Sequence, residues 1–100
     1  GMYEYSKLVA VSSNKQVEVS IYPNPTSNDL FFDITGNDNE IITICYIDVI
    51  GNTIKETISI SKDKNTYRTS EFLKLKTGIY FVQMVNENNE IIKSQKIIKQ

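Results

Sequence analysis

Apolar and polar residues alternate with a period of two along most of the chain. Val17, Val19 and Ile21 are separated by Glu18 and Ser20, so one side of an extended segment is apolar. Leu30, Phe32 and Ile34 form the next such row, with Asp29, Phe31 and Asp33 on the other side. From Ile41 to Val49 both rows are fairly apolar: Ile42, Ile44 and Tyr46 on one, Ile41, Thr43, Cys45 and Ile47 on the other. A strand apolar on both faces is expected in the middle of its sheet. Thr53 to Ile60 follows as a hairpin partner, with Ile54, Ile58 and Ile60 on one parity. Thr66 to Thr69 reads as a short strand, and Phe72, Leu73 and Leu75 as an irregular connection with Lys74 and Lys76 toward solvent. Gly78 opens a strand in which Tyr80, Val82 and Met84 alternate with Phe81, Gln83 and Val85. Glu90 to Ile98 is the last strand.

The breaks between these segments have turn chemistry. Pro23 and Pro25 cannot donate a ladder hydrogen bond, so Tyr22-Pro23-Asn24-Pro25-Thr26 is an edge or a loop. In Asp48-Val49-Ile50-Gly51, Asp at the first position and Gly at the fourth predict a type I turn. Gly36 to Asn39, Lys62 to Asn65 and Asn86 to Asn89 are polar loops. About seven short strands and no stretch of helical period predict an all-β antiparallel sandwich with Greek-key connections. Leu75-Lys76-Thr77-Gly78-Ile79-Tyr80 sharpens this, because it resembles the tyrosine corner of immunoglobulin-like sandwiches. There a Tyr hydroxyl returns to the backbone of the preceding connection, and Gly78 lets the chain pass under the ring. The expected core holds Leu30, Phe32, Ile34, Ile42, Ile44, Ile54, Tyr80, Val82 and Met84. Tyr3, Tyr5 and Tyr67 are the rings expected at the surface.

One hundred residues make one domain, able to bury about 65% of its unfolded surface without disulfides or metal. No apolar run approaches the ~18 residues of a membrane span, and no basic segment precedes an apolar one as in a signal peptide. Gly1 ahead of Met2 is what a cleaved expression tag leaves behind, which would make the chain a piece of something longer; the other reading is a native start at Met2. Residues 1–50 carry two Lys against seven Asp and Glu, and residues 51–100 eight Lys and one Arg against five. That split is too mild for a nucleic-acid partner. Lys93, Lys96 and Lys99 stand out because no acidic side chain follows Glu90. They change parity along a strand and so build no basic stripe.

Candidate chemistry is sparse. The chain has no histidine, so its single thiol, Cys45, lacks the usual base, and a mid-strand cysteine is a packing residue. Asp29 with Asp33 and Glu87 with Glu90 lie in turns or on solvent faces, without the cleft that acid–base catalysis needs. Asn37 to Glu40 and Asn86 to Glu90 offer oxygen ligands without EF-hand spacing. The expectation is a non-catalytic protein with no metal and no cofactor.

Four stretches come in a recognisable order: Tyr22-Pro23-Asn24-Pro25, Asp48-Val49-Ile50-Gly51, Leu75 to Tyr80, and Lys96-Ile97-Ile98-Lys99-Gln100. Together, over about residues 17–100, they resemble the C-terminal sorting domain of the type IX (Por) secretion system of Gram-negative bacteria. The resemblance implies an immunoglobulin-like domain that follows an N-terminal cargo and is read by the outer-membrane translocon. The cargo would pass through the periplasm to the cell surface or medium. In many members a sortase-like cysteine protease removes the domain, here around Ser12 to Gln16, and joins the cargo to an anionic lipopolysaccharide. The residues that match the family's motifs are Pro23, Asn24 and Pro25, Asp48 and Gly51, Gly78 and Tyr80, and Lys93, Lys96 and Lys99. Asn52 stands where the family often has Lys or Arg.

Residues 1–16 lie outside the resemblance and divide from residues 17–100 as a tag remnant plus linker, or the last strand of a preceding fibronectin-type module. As an edge strand, residues 2–12 would pair with the domain's own sheet or make a strand-mediated dimer. The other function open to such a sandwich is an immunoglobulin-like adhesion or carbohydrate-binding module.

Overall fold

The computed structural model describes residues 17–100. The expectations for residues 1–16 (an edge strand, a cleavage linker, exposed Tyr3 and Tyr5) lie outside the described residues.

Seven strands form: β1 Glu18–Tyr22, β2 Phe31–Thr35, β3 Glu40–Asp48, β4 Thr53–Ile60, β5 Thr66–Arg68, β6 Gly78–Val85 and β7 Ile91–Lys99. They make two antiparallel sheets, β1-β2-β5 and β4-β3-β6-β7. The strand with two apolar rows, β3, is central, paired to β4 on one side and β6 on the other. β6 returns beside β3 after the chain has crossed to the other sheet and back, which is the Greek-key step. An immunoglobulin constant-type sandwich puts four strands in the first sheet and three in the second. Here β4 sits on the edge of the second.

Period-two alternation puts Leu30, Phe32, Ile34, Ile42, Ile44, Val82 and Met84 inside, all essentially without exposure. Tyr46, Tyr80 and Ile97 join them. A register shift near Met84 and Val85 breaks the parity of β7, so Ile92 packs partly against the core while Ile97 and Lys99 point inward farther on.

Three expectations need correction. Ile54 is on the inward parity of β4 but is 42% exposed. It lies at the start of an edge strand, opposite Tyr46, beside a shallow concavity of about 450 Å³ that it lines with Asp48, Leu75 and Tyr80. Tyr67 is buried. As the middle residue of β5 it stacks on Phe32 at 5.2 Å, accepts from the Ser61 N–H (2.8 Å) and donates to the Lys64 carbonyl (3.0 Å). Its polar flanks, Thr66 and Arg68, face outward and hide an inward ring from a reading of local polarity. The irregular connection contains a 3-10 helix, Glu71–Lys74, whose Phe72 is completely buried.

Phe72 touches the rings of Tyr46 (5.6 Å) and Tyr80 (5.7 Å), so it closes one end of the core. Truncating it leaves a cavity that the surrounding rings cannot fill. Phe72→Ala is expected to cost about 3–5 kcal/mol, and Ile54→Ala less than about 1 kcal/mol. Urea titrations of the two variants check this; equal midpoint shifts would place the plug elsewhere.

Candidate functional site

All four motif stretches meet at one end of the sandwich. Strand direction brings them there: Tyr22 pairs with Phe31 where β1 ends, Asp48 with Tyr80 where β3 ends, and Gly78 with Lys99 where β7 ends. The loops 36–39, 61–65 and 86–90, and the start of β1, lie at the opposite end.

The Asp48 turn forms as its residues dictate. The Asp48 carboxylate accepts from the N–H groups of Ile50 (3.0 Å) and Asn52 (2.9 Å), and the Gly51 N–H donates to the Asp48 carbonyl (3.1 Å). Gly51 has φ +95°, a region that side chains disfavour, and open space around it. Its requirement is conformational.

Tyr80 makes the expected corner: its hydroxyl donates to the Lys76 carbonyl at 2.6 Å. Burial raises the phenol's pKa, and the neighbouring Asp48 charge adds to the shift. The role of Gly78 differs from the expected one. A Cβ there would make only an ordinary contact with the Tyr80 ring, 4.0 Å, but φ is +153°, so the backbone itself calls for glycine.

The largest departure is Lys99. Its side chain points inward and the residue is 6% exposed. The ammonium donates to the carbonyls of Phe72 (2.8 Å), Leu73 (3.2 Å) and Leu75 (2.6 Å) and lies 5.0 Å from the centre of the Phe72 ring. Three donors meet three acceptors at the carbonyl end of the 3-10 helix, so the buried charge is satisfied. Lys99 is therefore not the unopposed lysine that the absence of nearby acids suggested. Its partners are backbone carbonyls, invisible to a count of acidic residues.

The other end of the same helix is capped by Glu56, a residue with no distinguishing signal of its own along the chain. Its carboxylate accepts from the N–H groups of Ser70 (3.2 Å) and Glu71 (3.1 Å), the Ser70 hydroxyl (3.1 Å) and the Tyr46 hydroxyl (2.6 Å). Burial, then the bond to Glu56, pushes the Tyr46 pKa well up, so the phenol stays a donor.

Asn24 and Thr26 hold the last strand from outside. The Asn24 amide donates to the Lys96 carbonyl (2.9 Å) and accepts from the Ile98 N–H (3.1 Å). Thr26 extends the contact as a parallel bridge: its N–H donates to the Ile98 carbonyl (2.9 Å), and its carbonyl accepts from the Gln100 N–H (2.8 Å). Both peptide bonds before Pro23 and Pro25 are cis. The edge of β7 is thus occupied from Lys96 to Gln100, so a further strand has no free ladder groups to pair with there. Lys93 is half-buried, and Lys96 projects outward into solvent. Neither ammonium has a hydrogen-bond or carboxylate partner among the described residues. The three lysines stand in three different environments.

Asp29 and Asp33, paired in the sequence, have separate structural partners. Asp29 pairs with Arg68 at 2.9 Å, while Asp33 accepts from Tyr22 (2.8 Å) and Thr66 (2.9 Å) on the outer face of the smaller sheet. Cys45 is a half-buried free thiol. Among the described residues no group of three ligating side chains gathers.

Residues 20–100 match the sequence model of a family described as the secretion system C-terminal sorting domain, Por_Secre_tail. No curated protein matches the chain significantly. Among solved structures, the X-ray structure of a Northeast Structural Genomics Consortium target is similar at 19% identity over 90% of each chain, with a TM-score of 0.40.

Two substitutions separate the corner from the lysine socket. Tyr80→Phe removes one hydrogen bond and is expected to cost about 1 kcal/mol. Lys99→Met keeps the apolar stem but strands the Leu73 and Leu75 carbonyls, since the Phe72 carbonyl still accepts from the Leu75 N–H, with an expected cost of about 2–4 kcal/mol. Denaturant midpoints read both. A Lys99→Met variant as stable as the parent would mean that the socket is not closed in solution.

Proposed function

The chain belongs to the family of type IX secretion C-terminal sorting domains, and on that footing we propose that residues 17–100 are a non-catalytic address read at the motif end of the sandwich. The family assignment carries the coarser part: a secreted protein moved across the outer membrane by the type IX machinery, and a domain family that is in general non-catalytic. The finer part rests on one observation, the convergence of all four motif stretches on the end away from the start of β1. A cargo joined ahead of Val17 leaves from the far end, so the motif end is free to meet the translocon. Removal by a sortase-like protease near residues 12–16 fits the same layout, because a cut there leaves the sandwich intact.

Pro23, Asn24, Pro25, Asp48, Gly51, Gly78, Tyr80 and Lys99 act in this reading by building the end, and Lys96 as a charge that remains at its surface, while Lys93 pairs with Met84 toward the opposite end. Electrostatic attraction to an acidic receptor then falls mainly to Lys96, as association rate more than affinity. An adhesion or carbohydrate-binding role has less in its favour, since Tyr67, one of the rings it relied on, is buried.

A periplasm-exported reporter joined ahead of Val17 is expected to reach the cell surface in a host with this secretion system. The same reporter joined after Gln100 is expected to stay in the periplasm, because it would crowd the end being read. Protease shaving of intact cells distinguishes the two. Retention of the first fusion would sink the sorting role, and export of both would sink the assignment of the reading end.

A further inference from the structure

The two outer faces of the sandwich differ in kind. On the three-stranded sheet the outward residues include Glu18, Asp33 and Arg68, and Asp33 is tied to Tyr22 and Thr66. On the four-stranded sheet, register places Ile79 beside Ile98 and Phe81 between Ile47 and Lys96. Ile79 is 41% exposed, Phe81 46% and Ile98 38%. Packing inside the sandwich accounts for Tyr80, Ile97 and Lys99; it does not account for their outward neighbours. An antiparallel sheet that faces water on one side is expected to carry polar residues there. A contiguous apolar patch marks a surface that meets something else.

We infer that this patch, Ile47, Ile79, Phe81 and Ile98 with Lys96 beside them, docks on a protein surface that is apolar at its centre and sets a carboxylate against Lys96. The inference rests on the sorting reading and names the part of the address that the machinery touches. The charge pattern chooses the occupant. The outward positions of the four paired strands carry Lys55 and Lys96 and no Asp or Glu. A second copy of this chain would bring like charges together across the interface. An anionic lipid surface is recognised by clusters of about four to eight basic residues, and this face has two. An acidic and apolar protein surface satisfies both features: burial of Phe81 and the isoleucines supplies affinity, and the Lys96 pair sets the register. Because the Lys96 carbonyl is held by Asn24, the backbone that carries Lys96 is fixed beside the patch.

The test uses the reporter joined ahead of Val17, with Phe81→Thr, Lys96→Glu and, as a control at the far end of the same face, Ile41→Thr, at a position that is 46% exposed. Melting temperatures of the purified chains come first; if Phe81→Thr lowers the melting temperature, Ile98→Thr takes its place. Both variants of the patch are expected to lower surface delivery about tenfold or more, the effect of losing a hot-spot residue, while Ile41→Thr delivers like the parent. Patch variants delivered like the parent would overturn the inference and leave the sorting role standing. A parent fusion that stays in the periplasm overturns both. Two direct measurements exclude the other occupants: sedimentation with anionic phospholipid vesicles and analytical ultracentrifugation of the chain alone. Vesicle binding or self-association that disappears with Phe81→Thr would overturn the assignment to a protein partner.

Discussion

A buried aromatic ring on a one-turn helix creates two polar problems, and this sandwich depends on their solution. Phe72 fills the end of the core between Tyr46 and Tyr80. The helix that carries it leaves N–H groups open at one end and carbonyls at the other, close to a core that excludes water. Glu56 takes the N–H groups and Lys99 takes the carbonyls. These residues come from β4 and β7, the two edges of the four-stranded sheet. The helix therefore spans the sheet and ties its edges together. Removing either charged residue leaves unsatisfied groups beside an apolar ring, a larger loss than a surface ion pair such as Lys74 with Glu71 could offset.

The tie makes the last strand part of the end's structure. Lys99 is held from inside by the helix, and Ile98 and Gln100 are held from outside by Asn24 and Thr26. The outside contacts run between residues more than seventy positions apart in sequence. Such pairs form only when both ends of the domain are present and in register, so the motif end exists as a surface only in a folded domain. Occupied ladder groups on β7 also protect it against chance pairing with other strands.

Much of this was legible in the sequence. Alternation placed β3 at the centre of its sheet, turn chemistry put Asp48 and Gly51 in their turn, and the likeness to a tyrosine corner put the Tyr80 hydroxyl on the backbone before it. The failures share a cause: each concerned a contact between segments that one strand's pattern does not contain. Tyr67 is buried because Phe32 offers its ring a face. Ile54 is exposed because it starts an edge strand and borders a shallow concavity instead of a packed neighbour. Lys99 is inward because a helix end, which has no sequence signature as an acceptor, lies under it. Glu56 had no signal at all: Thr53 to Ile60 reads as an ordinary edge strand, and only the fold reveals four donors around one carboxylate.

The motif residues thus divide by what the fold already explains. Asn24, Asp48, Gly51, Gly78, Tyr80 and Lys99 each satisfy a backbone group, a turn or a buried ring. A substitution at any of these acts first on stability, so a loss of sorting there carries little information about recognition. Lys96, with the outward isoleucines and Phe81, satisfies nothing inside the domain. Residues that a fold does not need, gathered on one face beside residues it does need, are where a receptor can read the domain without unfolding it. The buried set then keeps the reading face in shape, and the outward set supplies the contact.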